Sequence, residues 1–269
     1  MAYNREVQES IIKELKVAQQ ISPQHEINSR VAFLKHFLQK THLKGYVLGV
    51  SGGQDSTLTG KLAQMAMEEE KMFVAVRLPY GVQRDAGDVD LAIDFIQPDE
   101  VYEFNIKSTV DALCAEYEKA FGVTLADYHK GNVKARIRMV VQYAIAGMEN
   151  LAVLGTDHAS ENITRFFTKY GDGAADVIPI FGLSKFQGRE MLQAFSDCPE
   201  RIYTKKPTPD LLDNVPCRPD EDELGCSYQD LEDFLTGKEV SDDVFDKIYS
   251  FYQKGDHKVK PPVTMYDIV

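Results

Sequence analysis

The chain has 269 residues, of which 43% are hydrophobic and 27% are charged, which is the balance of a folded globular protein with room for one substantial α/β core. Its 30 Lys and Arg residues and 42 Asp and Glu residues give a formal net charge of -12. Nucleic acid is therefore not expected as the main partner, because binding to a phosphate backbone relies on basic surface.

The hydrophobicity pattern predicts neither a membrane span nor an export signal. No uninterrupted apolar stretch approaches the length that crosses a bilayer, and the start, MAYNREVQES, lacks the basic-then-apolar order of a signal peptide. The four cysteines form no CxxC pair, so reduced thiols are expected. We predict a cytoplasmic protein without a membrane partner, and we treat residues 1–269 as a single domain.

The first predicted elements are two helices, because apolar residues recur at helical spacing over residues 7–15 and 27–38. Residues 46–50 form a short apolar run beside glycines, which is typical of a buried parallel strand. A helix is predicted from about Ser56. Further strands are predicted at residues 72–78, 101–106 and 151–154, and further helices at residues 85–96, 108–121 and 132–148.

This alternation of strands and helices implies right-handed crossovers and an α/β fold with a doubly wound, mostly parallel sheet and flanking helices. Beyond Ser184 the pattern is helical and looped, with a proline- and acid-rich segment at residues 206–225. That segment is either a mobile cover over a site or plain surface loop. Short helices are predicted at residues 228–235 and 242–252. The fold therefore carries extra helices at both termini.

The sharpest motif is SGGQDS at residues 51–56, between the first strand and its helix. A glycine-rich turn of this kind directs backbone N–H groups and the positive end of a helix at one point, which suits a phosphate or pyrophosphate. Asp55 would repel that anion unless a cation lies between them, so it is interpreted as a Mg²⁺ ligand. The GK[ST] ending of a Walker A loop is missing, which disfavours γ-phosphate transfer. The alternative is a tight turn in which Ser and Asp only cap the helix.

The stretch GVSGGQDS at residues 49–56 resembles the signature of the N-type ATP pyrophosphatases. Within that superfamily, three further blocks resemble the NAD synthetases: GNVKARIRM at 131–139, LGTDHASEN with FFTKYGDG over 154–173, and His257-Lys258 before two prolines. The resemblance covers most of the chain from Gly49 onward. It implies an adenine nucleotide alpha-hydrolase-like fold and ATP-dependent amidation of deamido-NAD by ammonia, through an acyl-adenylate.

The resemblance also implies site residues, with Asp55 and Lys185 in catalysis and Asp55 and Glu161 on Mg²⁺. Around ATP it places Gly49, Val50, Ser51, Gly52, Gly53, Gln54, Asp55, Ser56, Arg77, Thr156, Lys185 and Thr208. Around deamido-NAD it places Arg136, Lys169, Asp176, His257 and Lys258.

From the residues alone, plainer interpretations of these positions stay open. Arg136 could be a solvent-facing helix residue, Lys169 and Lys185 could be soluble loop residues, and Glu161 could be a capping acid. His158 and Glu161 have the HxxE spacing of a zinc site, but no third ligand stands at a supporting distance in the sequence. We therefore expect His158 to be structural or to orient a ligand.

Ammonia is the expected nitrogen donor, because glutamine-using NAD synthetases carry an extra domain with a nucleophilic Cys that this chain lacks. A homodimer is expected from the two apolar-striped N-terminal helices and from the resemblance, although such stripes could equally pack on their own sheet. Two rivals remain: another SGGxDS ligase, such as a tRNA-modifying enzyme, and a noncatalytic adenine-nucleotide sensor.

Overall fold

The computed structural model describes residues 2–82, 86–205 and 220–267. In the N-terminal half the elements are α1 (Arg5–Leu15), α2 (Pro23–Thr41), β1 (Gly45–Gly49), α3 (Gln54–Ala66), β2 (Met72–Arg77), α4 (Ala86–Ile96), β3 (Glu100–Glu103) and α5 (Lys107–Phe121). They continue with α6 (Asp127–Glu149), β4 (Leu151–Val153), α7 (Ala159–Thr164), α8 (Lys185–Gln193), α9 (Glu200–Thr204), α10 (Asp220–Leu224), α11 (Tyr228–Leu235), α12 (Asp242–Lys254) and a 3₁₀ turn (Asp256–Lys258).

The described strands form one parallel sheet in the order β3-β2-β1-β4. Strand β1 is central, pairing Val47 with Val74 of β2 on one side and with Val153 of β4 on the other. The chain thus runs from β1 through β2 to β3 at one edge of the sheet, and then crosses to the other side of β1 to form β4. This order confirms the predicted α/β fold with a parallel sheet, and it puts a ligand crevice at the carboxyl end of β1.

The apolar stripes of the two N-terminal helices are buried inside the chain. Helix α1, capped by the Asn4 side chain, buries Ile11 and Leu15 against a cluster formed with α7, α11 and α12. Helix α2 buries Leu34 and Leu38 in the main core beside α3 and the sheet. Of the two interpretations of these stripes, packing within the chain is therefore the one observed.

Beyond β1, two element boundaries differ from the sequence prediction by three residues or more. Strand β3 ends at Glu103 rather than at residue 106, because its partner β2 ends at Arg77; beyond that point only single bonds continue, such as the Ile106 N–H to the Pro79 carbonyl (2.9 Å). Helix α6 begins at Asp127, five residues before the predicted start at Asn132. Its first turns lack the apolar periodicity on which that prediction rested.

Helices α11 and α12 confirm the two predicted C-terminal helices. Both pack on α7, the short helix that follows β4, so the C-terminal part of the chain closes over the carboxyl side of the sheet. Over the three described ranges, none of the helices combines the length and the apolar character that a membrane crossing requires.

Candidate active site

A cavity of about 740 Å³ opens at the carboxyl ends of β1 and β4. Most of the residues predicted around ATP and Mg²⁺ lie on its wall, as the parallel-sheet topology requires. These are Gly49, Val50, Ser51, Gly53, Gln54, Asp55, Ser56, Thr156, Glu161 and Lys185. His257 and Lys258 line the same cavity from the C-terminal side.

The loop between β1 and α3 is held in shape by its own side chains. The Ser51 and Ser56 hydroxyls lie 3.0 Å apart, and the Thr57 hydroxyl donates to the Gly53 carbonyl (2.7 Å). Gly52 has a φ of +76°, and a Cβ there would come within 2.7 Å of the Asp88 backbone in α4. Gly52 thus lets the loop pack against α4, whereas its neighbours face the cavity.

Asp55, in the first turn of α3, forms an ion pair with Lys185 at the start of α8, with Oδ2 and Nζ 2.6 Å apart. Ser184 fixes that start through a reciprocal capping box with Gln187. Burial alone would raise the pKa of Asp55, but the charge and hydrogen bond of Lys185, the neighbouring His158 and a backbone hydrogen bond together outweigh it and lower that pKa. Asp55 is therefore ionised and ready to face a cation.

Glu161 completes an acidic cluster with Asp55 at the start of α7. One atom each of Asp55, His158 and Glu161 falls within 4.8 Å of the others. Burial and the neighbouring Asp55 charge raise the pKa of Glu161 well above its usual range, whereas burial lowers the pKa of His158 to about 4. Two carboxylates facing one point are the ligands that a Mg²⁺ ion prefers, so the residues present fit that ion.

Two further acids lie behind this cluster. Asp157 is 7% exposed, and burial raises its pKa to about 7; its Oδ2 accepts a hydrogen bond from Asn162 (2.7 Å). Burial also raises the pKa of Asp172, whose carboxylate accepts the Thr168 N–H (2.9 Å). Burial therefore opposes ionisation of Asp157 and Asp172, as it does for Glu161.

Four of the residues predicted around deamido-NAD lie on helices and loops rather than at strand ends. Lys258 Nζ donates to the carbonyls of Arg165 and Phe167, both at 2.8 Å. Lys169 Nζ donates to the His257 carbonyl (2.5 Å), and Arg136 donates to the Lys169 carbonyl (3.3 Å). Arg136 and Lys169 are thus linked by hydrogen bonds to the cavity residue His257, but they stand outside the cavity wall.

Two other predicted residues, Arg77 and Asp176, are not on the wall. Arg77 is paired with Asp90 (2.5 Å) on α4. Asp176 accepts hydrogen bonds from the Val153 N–H (2.8 Å) and the Tyr143 hydroxyl (3.3 Å). Thr208 lies outside the described residues. Ligand binding by these residues stays a prediction.

Comparison with known proteins decides the family. The family model described as NAD synthase matches residues 26–262. The chain belongs to the NAD synthase family. It is 54% identical to the NH(3)-dependent NAD(+) synthetase of Bacillus licheniformis over 267 residues, which cover 97% of this chain and 98% of that protein. The corresponding protein of Bacillus subtilis is 52% identical over the same shares of both chains.

Two solved structures of this family share the fold. The NAD+ synthetase of Burkholderia pseudomallei has a TM-score of 0.82 and 37% identity, with coverage of 96% of this chain and 97% of that chain. A structure described as the NMN synthetase of Francisella tularensis also has a TM-score of 0.82, at 33% identity, and covers 91% of this chain and 99% of that chain. The family therefore includes proteins named for different products.

Two polar side chains of α6 hydrogen-bond to the backbone at strand ends beside the cavity. The sequence motifs did not reveal these contacts. The Gly49 N–H donates to Gln142 Oε1 (2.7 Å), and Arg138 donates to the Leu78 carbonyl (3.0 Å). Both side chains line the cavity. Only Arg138 fell within a block singled out in the sequence, because polar residues on a helix give no sign of which strand end they will meet.

Proposed function

We infer that this chain catalyses the ATP-dependent amidation of deamido-NAD with ammonia, giving NAD, AMP and pyrophosphate; it is a ligase, like its curated relatives. The observation that carries this inference is the meeting, in one cavity of a NAD synthase fold, of the glycine-rich loop with Asp55, Glu161 and Lys185. A noncatalytic sensor has no need of this paired acid and ammonium group beside the loop.

The reaction follows from what these residues can hold. A carboxylate oxygen of deamido-NAD bonds to the α-phosphorus of ATP, and the bond to the bridging oxygen breaks so that pyrophosphate leaves with the electron pair. The N–H groups in the first turn of α3 and the Lys185 ammonium stabilise the charge that develops on the leaving oxygens. Ammonia then adds to the acyl carbon, loses a proton to solvent and displaces AMP.

A Mg²⁺ ion held by Asp55 and Glu161 is part of the proposal, supported by the close approach of their oxygens. When bound, such an ion supplies Lewis-acid stabilisation of phosphate charge. Lys185 would compete with such an ion for Asp55, since its Nζ lies 2.6 Å from Asp55 Oδ2. In this proposal the protein side chains bind and orient the substrates and neutralise phosphate charge, and none acts as a nucleophile.

Free ammonia as the nitrogen donor is consistent with the cysteines. Within the described ranges, Cys114, Cys198 and Cys226 all lie away from the cavity wall. Burial raises the pKa of Cys198 and of Cys226 to about 11, so neither thiol is a ready nucleophile for glutamine. Cys217 lies outside the described residues.

The function is tested by incubating the purified chain with ATP, Mg²⁺, ammonium and deamido-NAD carrying ¹⁸O in its nicotinate carboxylate. We expect NAD, unlabelled pyrophosphate, and AMP with one labelled oxygen, because the attacking carboxylate oxygen stays with AMP. ADP with labelled phosphate would instead mean an acyl-phosphate route. Unlabelled AMP would mean uncoupled ATP hydrolysis, and ATP that binds without turnover would favour a sensor.

Two further assays, each with one substrate replaced by a related compound, complete this test. Nicotinic acid mononucleotide replaces deamido-NAD in one arm, since one structural relative is named for NMN, and we expect the dinucleotide to have the higher kcat/KM. Glutamine replaces ammonium in the other arm, where we expect little product. At fixed total ammonium the rate should rise with alkaline pH, because only free NH₃ has the lone pair that attacks.

A homodimer is also proposed, on a different surface from the one that the sequence suggested. Large exposed apolar side chains lie mainly on or near β3, α5 and α6. They include Val101, Tyr102, Phe104, Leu113, Phe121, Val140 and Met148. Arg136 lies on α6 as well, so a second copy covering this helix would enclose a residue predicted to bind deamido-NAD.

Paired variants on two helices test that surface. We expect Val140→Glu on α6 to give a monomer by light scattering, with loss of activity, because a charge would be buried in the contact. Phe33→Glu on α2 is the control, since Phe33 is similarly exposed but lies on a helix whose apolar stripe is buried within the chain. A monomeric, fully active wild-type protein would refute the dimer.

We further propose that residues 1–269 act as one domain in the cytoplasm.

A further inference from the structure

His158 stands between the two proposed metal-binding carboxylates, and its ring has a defined tautomer. It is the N-cap of α7, and its Nδ1 accepts a hydrogen bond from the Glu161 N–H (3.4 Å). A ring nitrogen that accepts a hydrogen bond carries no proton, and an imidazolium has no such nitrogen. The ring is therefore neutral and its proton resides on Nε2.

That Nε2–H lies between the two carboxylates without a hydrogen bond to either. Nε2 is 3.5 Å from Asp55 Oδ1 and 3.6 Å from Glu161 Oε1, and it has no hydrogen-bond partner among the described residues. His158 is 2% exposed, so water cannot readily serve this donor instead. A buried donor facing two carboxylates at slightly long range will form a full bond to either one after a small side-chain movement.

We propose that His158 is a positioning residue, which caps α7 through Nδ1 and, through the Nε2–H thereby fixed, orients Asp55 and Glu161 toward the metal. The proposal rests on the function proposed above, in which these two carboxylates bind Mg²⁺. It concerns a residue that binds neither the ion nor the substrates. Residues that hydrogen-bond to metal ligands, without binding the metal themselves, contribute strongly to metal affinity in other proteins.

Two substitutions separate the two roles of the ring. In His158→Gln the side-chain amide reaches about as far as Nε2 and keeps a donor toward the carboxylates, but Gln is a poor helix cap. In His158→Asn the amide oxygen takes the place of Nδ1 and keeps the cap, whereas the donor near Asp55 is lost. Each variant thus retains one function of the histidine.

Mn²⁺ binding to metal-free protein, followed by electron paramagnetic resonance, is the primary readout. We expect His158→Asn to weaken Mn²⁺ binding by roughly 10- to 100-fold, as for other groups that support metal ligands, and His158→Gln to stay near wild type. The Tm should show the opposite order, because only the Gln variant loses the cap. Equal Mn²⁺ affinities in the two variants would overturn the proposal.

The wild-type protein provides a second test that depends on no variant. With ¹⁵N-labelled histidine, the His158 resonances in metal-free protein near neutral pH should show protonated Nε2 and unprotonated Nδ1. A proton on Nδ1, alone or with one on Nε2, would overturn the inference. An active enzyme that fails these tests would refute only the role of His158, whereas a wild-type chain that never forms NAD would refute the proposed function.

Discussion

The two ends of the proposed site contrast sharply. At the sheet end, the loop, Asp55, Glu161 and Lys185 all meet in one cavity. At the outer end, His257 and Lys258 line that cavity, whereas Arg136 and Lys169 stand outside its wall. The sheet end is built from one strand-loop-helix unit and its neighbours, so the chain alone completes it. The outer end depends on long side chains near the surface and, under the proposed dimer, on a second copy.

The largest effect is expected at the sheet end, from removal of the carboxylates. Asp55→Asn and Glu161→Gln should each lower turnover by roughly 10²- to 10³-fold, because each removes a charged ligand that stabilises the transition state through the metal. The measurement is NAD formation across a Mg²⁺ titration. Circular dichroism and Tm serve as the control for folding, and near-wild-type turnover at limiting Mg²⁺ would contradict the metal assignment.

Lys185→Met should separate binding of the ion from catalysis. Lys185 holds Asp55 Oδ2 at 2.6 Å and so competes with a metal for the same carboxylate. Without that ammonium, we expect turnover to fall about 100-fold, as when an oxyanion donor is removed, while Mn²⁺ binds more tightly. The two changes have opposite directions. Weaker Mn²⁺ binding in this variant would show that Lys185 supports the metal site rather than competing with it.

A smaller effect is expected at the outer end. Arg136→Ala and Lys169→Ala should each raise the KM for deamido-NAD about tenfold, since a hydrogen bond to a charged group contributes about 1.5–3 kcal/mol. The KM for ATP should not change, because neither residue lies on the cavity wall. Lys119→Ala is the matched control, as that lysine is highly exposed on α5. An equal rise in both KM values would mean that the two ends are not separate.

The same contrast explains how much could be predicted from the sequence. The succession of strands along the chain and the loop at residues 51–56 follow from local patterns. The pairing of Asp55 with Glu161 was predicted from the family resemblance, supported by the position of Glu161 just after a strand end. The start of α6 was predicted five residues late. The role of Gln142 was not predicted, because its contact with Gly49 joins residues 93 positions apart.

The N-terminal helices show another limit of the sequence. An apolar stripe such as that ending in Leu15 indicates that a helix is covered, but not by what. In this fold the C-terminal helices provide that cover, which no local pattern of α1 could indicate. The His158 contacts were partly foreseen, since the HxxE spacing drew attention to the ring. Its tautomer depends on the cap of α7, which only the structure defines.

The smallest predicted effect concerns stability at the sheet end. Burial raises the pKa of Asp157 to about 7, from a model-peptide value of 3.8, so between these values the folded state binds more protons than the unfolded state. The free energy of unfolding therefore falls as pH rises through this window, and the loss is complete above pH 7. Asn cannot titrate. In EDTA, Asp157→Asn should thus have a Tm several degrees above wild type at pH 8.5, and this difference should shrink steadily as the pH falls toward 4. The low pKa of His158 acts in the opposite direction, but it is present in both proteins and cancels in the difference.

Asp94→Asn, at an exposed position on α4, is the control and should leave the Tm difference from wild type independent of pH. Parallel Tm–pH curves for Asp157→Asn and wild type would show that the pKa of Asp157 is not raised in the folded protein.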